Sequence, residues 1–395
     1  MGLHEDAKLC QDPDLAKQLF KHAKTSQSRR SIKDSIELAK TEPDIPIRIG
    51  DLDCAEHLLC VENGTIDLRY GTLSLSDPND FITKCIGLSF DPIAECPTFK
   101  LFLDQIFEND IAVIRYAQTI FGYASTGSTS DQSFFVFNGD GANGKSTILN
   151  IISAVLDPYA MHSSTDTILV KPSGSIRNDL ARLAGARFVT VSESSSHSRL
   201  DTGLMKQISG SEPITARFLN QEEFTYIPQF KLFLATNHLP QLDGNDPAIW
   251  RRLQLLPFLR VFDKAEQDSN LFDKLKLEAP GILAWLVEGA VRYYAEGIKK
   301  PLVVENAIAA YRAECDPLGQ FLSENYDPDP KGKVVTSILY SEYVSWNRQM
   351  GLETPSQNAF GRLLTKAGYS GEKSSGTAYR RGLKPKMMLV KGAGA

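Results

Sequence analysis

Several features that would indicate a secreted or membrane-bound protein are scarce or missing in this sequence. The six cysteines show no CxxC spacing and no accompanying histidine cluster, which argues against a zinc site and against a disulfide framework. The longest apolar run near a helical pattern, GILAWLVEGAV from Gly281, is too short to span a bilayer and contains Glu288. The first residues, MGLHEDAKLCQDPDL, lack the basic flank and apolar core of a secretory signal. We therefore expect a cytoplasmic protein with no membrane span.

The composition that is present is that of an ordinary globular protein, with 42% hydrophobic and 23% charged residues. A length of 395 residues favours two or three domains. Residues 331–395 contain seven Lys and four Arg against three Glu and no Asp, a charge of +8, so the total of −5 leaves −13 for residues 1–330. A basic C-terminal region is expected of a nucleic-acid contact surface. A solvated basic tail is the alternative interpretation.

The pattern of apolar residues changes along the chain. Residues 1–46 are polar and helix-prone, and LLCVENGTIDLRYGTLSL then predicts a small β-meander with turns at its Asn-Gly and Tyr-Gly pairs. CPTFKLFLDQIFENDIAVIRYAQTIFGYAS has helical spacing. Short apolar runs at 134–137, 188–191 and 232–235 alternate with helical or turn sequence, which indicates an α/β sheet. In the final region, YDPDPKGK predicts a break rich in proline and glycine.

The stretch FFVFNGDGANGKSTILNIISAV reads as a strand, a glycine-rich loop and a helix, and its loop fits G-x-x-x-x-G-K-[ST]. Such a loop turns its N–H groups toward phosphate oxygens at a helix N-terminus, so we expect it to bind a nucleoside triphosphate. The lysine would bridge the β- and γ-phosphates, the serine would ligate Mg²⁺, and the threonine would lie near the α-phosphate. The predicted nucleotide-binding residues are Gly139, Gly141, Asn143, Gly144, Lys145, Ser146 and Thr147.

Three further segments supply candidates for hydrolysis. GARFVTVSES places Glu193 directly after a predicted strand, where its carboxylate can orient a water and accept its proton. The alternative is that Glu193 only begins a polar loop. KLFLATNHLP ends in Asn237, whose amide can bond a γ-phosphate, although asparagine before a turn is common; His238 is predicted to be a turn residue. WRRLQLLPF places Arg251 and Arg252 directly before a predicted strand. They are interpreted either as phosphate-binding arginines or as paired surface arginines without such a role.

The last region predicts a helix, a turn, a helix and a basic hairpin from SILYSEYVSWNRQMG, SQNAFGRLLTKAGY and SGEKSSGTAYRRGLK. This is the layout of a duplex-binding domain, and its contacts to phosphate would be sensitive to salt and mostly blind to sequence. A domain with a structural or protein-docking role is the alternative. The predicted phosphate contacts are Arg362, Lys366, Lys373, Arg380 and Arg381.

Together these segments resemble the superfamily 3 helicases, and within them the phage and plasmid primase-helicases related to the poxvirus replicative helicase. The motifs are GDGANGKST, RFVTVSES, LMKQISGSEPITARF, KLFLATNHLP and DPAIWRRLQLLPF, in the family's order. ENGTIDLRYGTL, FDPIAECPTF and QTIFGYASTG resemble the region that precedes the ATPase, and the two C-terminal helices resemble its winged helix. The resemblance covers about residues 50–390.

The resemblance implies an α/β P-loop ATPase of AAA+-like type with an N-terminal helical and β region and a C-terminal winged-helix domain. It implies an N-terminal oligomerisation region at 1–120, the ATPase at 121–300 and the winged helix at 301–395. Chains would form a ring, usually a homo-hexamer, that holds ATP and Mg²⁺ between subunits and draws single-stranded DNA through its centre. The primase half of many relatives has no room in 395 residues, so we expect either a stand-alone helicase or the helicase part of a larger polypeptide. A primase would act in cis or in trans.

The resemblance also implies roles for individual residues. Lys145 and Ser146 contact phosphate and metal, Glu193 is the Walker B acid and a metal ligand, and Asn237 is the sensor. Arg252, or else Arg251, is the finger that acts on the neighbouring subunit's nucleotide. KQISGSEPITARFLNQEEFTYIPQF forms a hairpin in the channel. Because its tip offers Asn220 and acidic residues instead of a lysine, Lys206 or Arg217 would supply the DNA contact; Ser192 stands where many relatives have a second acid.

An ATP-dependent DNA helicase of replication is therefore the function that we expect from the sequence. An origin-binding initiator that uses ATP only for assembly is one alternative. A P-loop kinase is another, and it would require an acceptor pocket and a basic lid from the same chain.

Overall fold

The computed structural model describes residues 3–43, 45–170, 177–192, 200–240, 242 and 246–386. The chain divides into two compact units, residues 1–54 with 81–83 and the remainder. The first unit contains three helices, which confirms its helix-prone character. Asp12 and Ser28 cap the second and third of them, because their side-chain oxygens accept hydrogen bonds from N–H groups of the first turn. The helices are α1 (Leu3–Leu9), α2 (Pro13–Ser26) and α3 (Arg29–Ala39).

The second unit begins with the predicted β-meander, a three-stranded antiparallel sheet in the order β1-β2-β3. Two helices follow it, as the apolar spacing predicts. The second helix crosses residue 120, so the predicted boundary between 120 and 121 does not fall at a break in the chain. These elements are β1 (Leu58–Val61), β2 (Gly64–Asp67), β3 (Thr72–Ser74), α4 (Pro97–Ile106) and α5 (Ile111–Ser125).

The predicted alternation of strands and helices is confirmed in the next part of the chain. It adds one strand that the sequence did not suggest, β5. The expected hairpin is present as a separate antiparallel pair, β7 with β8. The elements are β4 (Phe134–Asn138), α6 (Lys145–Val155), β5 (Ala160–Ser164), α7 (Asn178–Ala181), β6 (Phe188–Ser192), α8 (Thr202–Ile208), β7 (Ile214–Ala216), β8 (Phe224–Tyr226), β9 (Lys231–Thr236), α9 (Pro247–Arg252) and β10 (Leu253–Pro257).

Five of these strands form one sheet in the order β10-β4-β9-β6-β5, and every neighbouring pair is parallel. Strands β10, β4, β9 and β6 are covered on both faces and are largely apolar, whereas the edge strand β5 is more polar and more exposed. Alternate residues of β4 divide between two hydrophobic clusters, with Phe135 and Phe137 in one and Phe134 and Val136 in the other. Phe233 stacks on Phe135 with ring centroids 4.5 Å apart. A parallel sheet places all carboxyl ends at one edge and all amino ends at the other.

Two buried cations hold the end of α5 at the amino edge of the sheet. Lys231 donates hydrogen bonds to the carbonyl oxygens of Thr126 and Ser128, and Arg187 donates one to the carbonyl of Ser125 at 3.0 Å. These carbonyls lie at the negative end of the helix dipole, where positive charge is favourable. Burial lowers the pKa of Lys231 well below its usual value. The carbonyl oxygens offset part of this cost of burial, because they bond to the amine.

Three helices complete the core on the sheet: α10 (Leu271–Leu277), α11 (Ala279–Glu296) and α12 (Leu302–Glu314). The Tyr311 hydroxyl of α12 donates a hydrogen bond to the carbonyl of Pro240, and its ring meets Trp250 edge-on at 5.1 Å. Helix α12 thus packs on the sheet domain, and the predicted boundary at 301 lies too early. A third hydrophobic cluster starts at Leu318.

The C-terminal region contains the two predicted helices and the predicted hairpin. The segment YDPDPKGK, expected to be a break, is instead part of an edge strand that pairs with the last strand, from Tyr326 opposite Pro385 to Val335 opposite Tyr379. A register shift between Asp329 and Lys333 accommodates its prolines and glycine. The elements are α13 (Pro317–Asn325), β11 (Tyr326–Val335), α14 (Thr336–Gln349), α15 (Gln357–Lys366), β12 (Gly371–Ser374) and β13 (Thr377–Pro385).

A membrane span requires a helix that is both long and strongly apolar. Within the ranges given above, none is both long enough and apolar enough to cross a bilayer.

Candidate nucleotide-binding site

The loop between β4 and α6 requires glycine at two positions. Gly144 has φ = +86°, and a Cβ atom there would lie 2.6 Å from the Ile106 side chain. A Cβ atom at Gly139 would lie 2.3 Å from the carbonyl oxygen of Phe258. The loop is therefore pressed between α4 and the segment after β10. Side chains at these two positions would push it out of the curve that directs its N–H groups inward.

The Lys145 ammonium lies inside this loop. It donates hydrogen bonds to the carbonyl of Gly139 at 2.6 Å, to Asn143 Oδ1 at 3.1 Å and to Asn237 Oδ1 at 3.1 Å. Only 5% of the residue is exposed, and burial lowers the pKa of the ammonium. The three oxygens hold a cation at the place where the sequence predicts phosphate.

The remaining loop atoms are suited to phosphate. The Asn143 side chain is 2% exposed and its Nδ2 donor has no hydrogen-bond partner, so an acceptor is missing from the loop. Helix α6 begins at Lys145 and runs for 11 residues, which gives an N-terminus with free N–H donors. Ser146 is exposed and Thr147 is partly exposed in the first turn. These residues can therefore hold the phosphates of a nucleotide, with Ser146 available to a metal ion.

Asn237 is brought to the loop by the strand next to β4. Asn138 and Thr236 are opposite each other where β4 and β9 end, and Asn138 Nδ2 donates to the carbonyl of Asn237 at 3.3 Å. The Thr236 hydroxyl accepts from the N–H of His238 at 3.0 Å and donates to its carbonyl, which fixes the turn. His238 is a turn residue, as predicted. The sheet thus brings together Lys145 and Asn237, which are 92 residues apart in the sequence.

The predicted Walker B acid, Glu193, lies outside the described residues. The described part of its strand ends at Ser192, which is opposite Ala235 of β9. Its strand therefore ends at the same carboxyl edge as the loop and Asn237. The catalytic role of Glu193 stays a prediction.

The two arginines lie at the other edge of the sheet. They are the last residues of α9, and the next residue, Leu253, pairs with Phe134 at the start of β4. The loop begins after the five residues of β4, roughly 15 Å away at about 3.3 Å per residue. Arg251 donates to Gln132 Oε1 at 2.8 Å, and Arg252 donates to the carbonyl of Ala248 at 3.1 Å. Neither side chain spans that distance to the loop of its own chain.

Arg252 is the more enclosed of the two. Its Nε atom is buried without a hydrogen-bond partner, whereas Arg251 is exposed. Burial, and then the charge of Arg251, lowers the pKa of Arg252. The buried Nε cannot itself meet the nucleotide of a neighbouring chain, so the role of Arg252, or else of Arg251, stays a prediction.

A segment that the sequence patterns did not predict runs along the loop. Phe258 N–H donates to the carbonyl of Asn138 at 2.7 Å, and Phe262 N–H donates to that of Ala142 at 2.8 Å. Between them, Arg260 lies 4.4 Å from the ring of Phe262 and forms an ion pair with Glu266 at 2.9 Å. The segment directly follows the predicted arginine motif, but no local pattern shows that the parallel sheet returns it to the loop.

The residues predicted to contact DNA in the hairpin fall in different settings. Lys206 is on α8, not in the hairpin, and its ammonium is paired with Asp246, the residue that caps α9. Arg217 is exposed after β7. Asn220 is exposed and has φ = +60° at the turn. The structure therefore leaves Arg217 better placed than Lys206 to meet a phosphate.

The five basic residues predicted to contact phosphate in the C-terminal region also differ in their surroundings. The Arg380 guanidinium donates to the Thr365 hydroxyl and to the carbonyls of Tyr369 and Gly361, so it joins β13 to α15. Arg381 forms an ion pair with Glu372 at 2.5 Å. Arg362, Lys366 and Lys373 are exposed on α15 and β12.

The parallel five-stranded sheet, with a glycine-rich loop between its strand β4 and helix α6, fits a P-loop-like α/β domain. The chain has the same fold as the NrS-1 C terminal region: the A form apo structure aligns at a TM-score of 0.55 with 12% identity and covers 90% of each chain. A second apo structure of that region gives a TM-score of 0.52 with 13% identity, over 74% of this chain and 77% of the other.

Sequence comparisons place the chain among viral proteins. Residues 3–108 match the family described as D5 N terminal like, and residues 137–252 match a family of unknown function, DUF5906. A "Putative helicase" of Acanthamoeba polyphaga mimivirus is 30% identical over 76% of this chain and 34% of that protein. A "Putative primase" of African swine fever virus is 24% identical over 75% of this chain and 34% of that protein.

These matches confirm the relationship that the motifs predict: the chain belongs to the phage and viral primase-helicase family. It spans about a third of the length of the viral relatives that it matches.

Replacing Lys145 by alanine tests the nucleotide site. We expect Mg·ATP to raise the melting temperature of the parent chain, because a ligand at about one hundred times its Kd stabilises the fold by about 2.7 kcal/mol. The Lys145→Ala chain should lose most of this rise, since its cation is gone. Thermal unfolding with and without Mg·ATP measures the difference. Lys276→Ala, which removes an exposed lysine, is the control, and an undiminished rise in Lys145→Ala would contradict the assignment.

Proposed function

We propose that the chain is an ATP-dependent DNA helicase of phage, plasmid or viral replication. Copies of the chain would form a homo-hexameric ring that hydrolyses ATP at subunit interfaces, moves along single-stranded DNA and separates duplex. The observation that carries the proposal is the division of the site between the two edges of the sheet. Lys145 and Asn237 meet at the carboxyl edge, whereas Arg251 and Arg252 lie at the amino edge, out of reach of that nucleotide.

This division is best explained by a site that two chains share. An arginine that serves phosphoryl transfer has to reach the γ-phosphate, and Arg251 and Arg252 could reach only the nucleotide of a neighbouring chain. The first unit offers a means of association: Phe20 of α2 and Ile32, Ile36 and Leu38 of α3 are exposed apolar residues. We propose that this unit, within the predicted oligomerisation region at 1–120, contributes to the ring in this way.

Within the site we assign one role to each group. The loop N–H groups, Asn143 and Lys145 bind the β- and γ-phosphates, and Thr147 lies beside the α-phosphate. Ser146 and Glu193 would hold Mg²⁺, which neutralises phosphate charge when it is bound. Glu193 accepts the proton of the attacking water, and Asn237 orients that water by hydrogen bonding. The bond between Asn237 and Lys145 supports this role, because it places the amide beside the phosphate-binding cation.

We propose that the C-terminal region is a winged-helix domain that binds duplex DNA through phosphate. Its charge of +8 over residues 331–395 contrasts with −13 in the rest of the chain. A cavity of about 820 Å³ between the start of α14, α15 and β13 is lined by Arg362 and Lys366. Arg380 fixes the hairpin against α15, so it positions these contacts instead of making one.

Two alternative functions, a P-loop kinase and an origin-binding initiator, do not involve movement along DNA. A P-loop kinase would need a basic lid over its own nucleotide, but the arginine pair lies at the opposite edge of the sheet. An origin-binding initiator would share every feature above and differ only in lacking movement. A primase partner, in cis or in trans, fits the names of the viral relatives. The six cysteines are free thiols, which fits a reducing, cytoplasmic location.

The first test is the ATPase rate with and without single-stranded DNA. A motor should hydrolyse ATP faster when DNA is bound, because binding and hydrolysis are coupled in its cycle. Lys145→Ala provides the background rate. A rate that ignores single-stranded DNA would favour the kinase, and DNA-stimulated hydrolysis without strand separation in an unwinding assay would favour the initiator.

Mixed rings test the shared site. Arg252→Ala and Lys145→Ala should each be inactive alone, since each lacks one half of every interface. Mixtures contain interfaces where an intact loop meets an intact arginine, and these should recover ATPase activity, because such an arginine is worth about 10³–10⁵ in turnover. The measurement is ATPase rate against mixing ratio, after mass analysis shows that subunits exchange. No recovery despite exchange would mean that Arg252 does not act on a neighbour.

Charge removal from α15 tests the C-terminal domain. Arg362→Gln with Lys366→Gln should weaken duplex binding and reduce the slope of log K against log salt by about 0.9 for each phosphate that is no longer neutralised. Lys264→Gln with Lys276→Gln removes the same charge elsewhere and should leave the slope unchanged. Fluorescence anisotropy over a salt series measures both. Identical slopes in the two double variants would assign α15 a structural role.

A further inference from the structure

A second basic cavity lies outside the nucleotide site. It has a volume of about 410 Å³, within the range of small-molecule pockets, and it is formed by α5, the end of α11 and the connection to α12. Arg115, Arg292, Lys299 and Lys300 line it, whereas Glu296 is its only acidic lining residue. Four cations thus face one carboxylate.

The Glu296 carboxylate already forms ion pairs with two of these cations. Arg115 donates to one oxygen of Glu296 at 2.9 Å, and Lys299 donates to the other at 3.0 Å. Arg292 is held by a neutral group, because its guanidinium donates to Gln118 Oε1 at 2.6 Å. Lys300 has neither a hydrogen bond nor an ion pair with any residue that the structure describes.

The two cations that have no ion pair with a described residue, Arg292 and Lys300, are also the ones whose pKa burial lowers, and the more distant charges of Glu288 and Glu296 at Arg292 and of Glu305 at Lys300 only partly oppose this. Both side chains are partly buried. Removing a charge from water is unfavourable unless an opposite charge compensates it. An anion bound between Arg292 and Lys300 would supply that compensation, and a guanidinium beside an ammonium suits the several oxygens of a phosphate.

The cavity is separate from the phosphate-binding loop. Its wall residue Tyr116 donates a hydrogen bond to Gln254 Oε1 at 3.1 Å, and Gln254 Nε2 donates to the Ser133 hydroxyl at 3.2 Å. Gln254 follows Arg252 by two residues at the start of β10. The cavity therefore lies toward the amino edge of the sheet, with the arginine pair, and a nucleotide held by Lys145 of the same chain does not fill it.

We propose that this cavity is a second phosphate-binding site, in which Arg292 and Lys300 bind a phosphate group of the nucleic-acid backbone or of a free nucleotide. Arg115 and Lys299 keep Glu296 away from that group by binding both of its oxygens. The proposal does not depend on motor activity, because it concerns binding alone.

The test uses the full chain carrying Lys145→Ala, so that the first site is weakened. Pyrophosphate should still bind at constant ionic strength in a calorimetric titration, and Lys300→Gln should reduce its affinity about tenfold or more, since a charge-assisted hydrogen bond is removed. Lys300→Arg should retain binding, and Lys276→Gln controls for the removal of one positive charge. Arg292→Gln is measured in the same way, so the result does not depend on one variant folding.

A second arm identifies the source of the phosphate. Affinity for an oligodeoxythymidine strand is measured by fluorescence anisotropy in the same variants, without nucleotide. Weaker strand binding in Lys300→Gln than in Lys276→Gln supports a backbone phosphate, whereas weaker pyrophosphate binding alone supports a free nucleotide. If Lys300→Gln and Arg292→Gln bind both probes as tightly as the Lys276→Gln control, the proposed site is overturned.

Discussion

All five strands of the central sheet run in the same direction, and the arrangement of the candidate site follows from this constraint. The strand ends that carry the loop and Asn237 meet at the carboxyl edge, where Lys145 bonds to both. Arg251 and Arg252 lie at the amino edge. A mixed sheet would have brought some of these residues together and separated others. The direction of the strands therefore decides that Arg251 and Arg252 lie at the opposite edge of the sheet from Lys145 and Asn237 of the same chain.

The same edges organise the buried charges. At the carboxyl edge, the Lys145 ammonium is solvated by three oxygens of the loop and of Asn237. At the amino edge, Lys231 and Arg187 are solvated by carbonyls at the end of α5. Each cation loses water on burial, and polar atoms of the fold replace it. In the second cavity, no polar atom of the described residues replaces the water lost by the Lys300 ammonium. An external anion would compensate that charge.

Much of the fold and site could be predicted because it depends on local pattern. The glycine spacing before Lys145, the apolar runs of β6 and β9, and the paired helices α14 and α15 are all visible in short windows. Other features depend on distant pairing. The segment from Tyr326 contains prolines and glycine and reads as a break, yet it forms a strand because β13 supplies its hydrogen bonds. Lys206 is predicted for the hairpin, but α8 and its partner Asp246 determine where it lies.

The sequence by itself determined the position of the loop, since G-x-x-x-x-G-K-S predicts a curved loop before a helix, and it determined the family through the order of its motifs. Only the tertiary structure decided which motifs meet. Lys145 bonds to Asn237 across 92 residues, and Phe262 returns to the loop at Ala142, because neighbouring parallel strands end together. It also decided that Arg252 faces away from its own loop, since α9 ends where β10 begins, at the opposite edge from the strand ends.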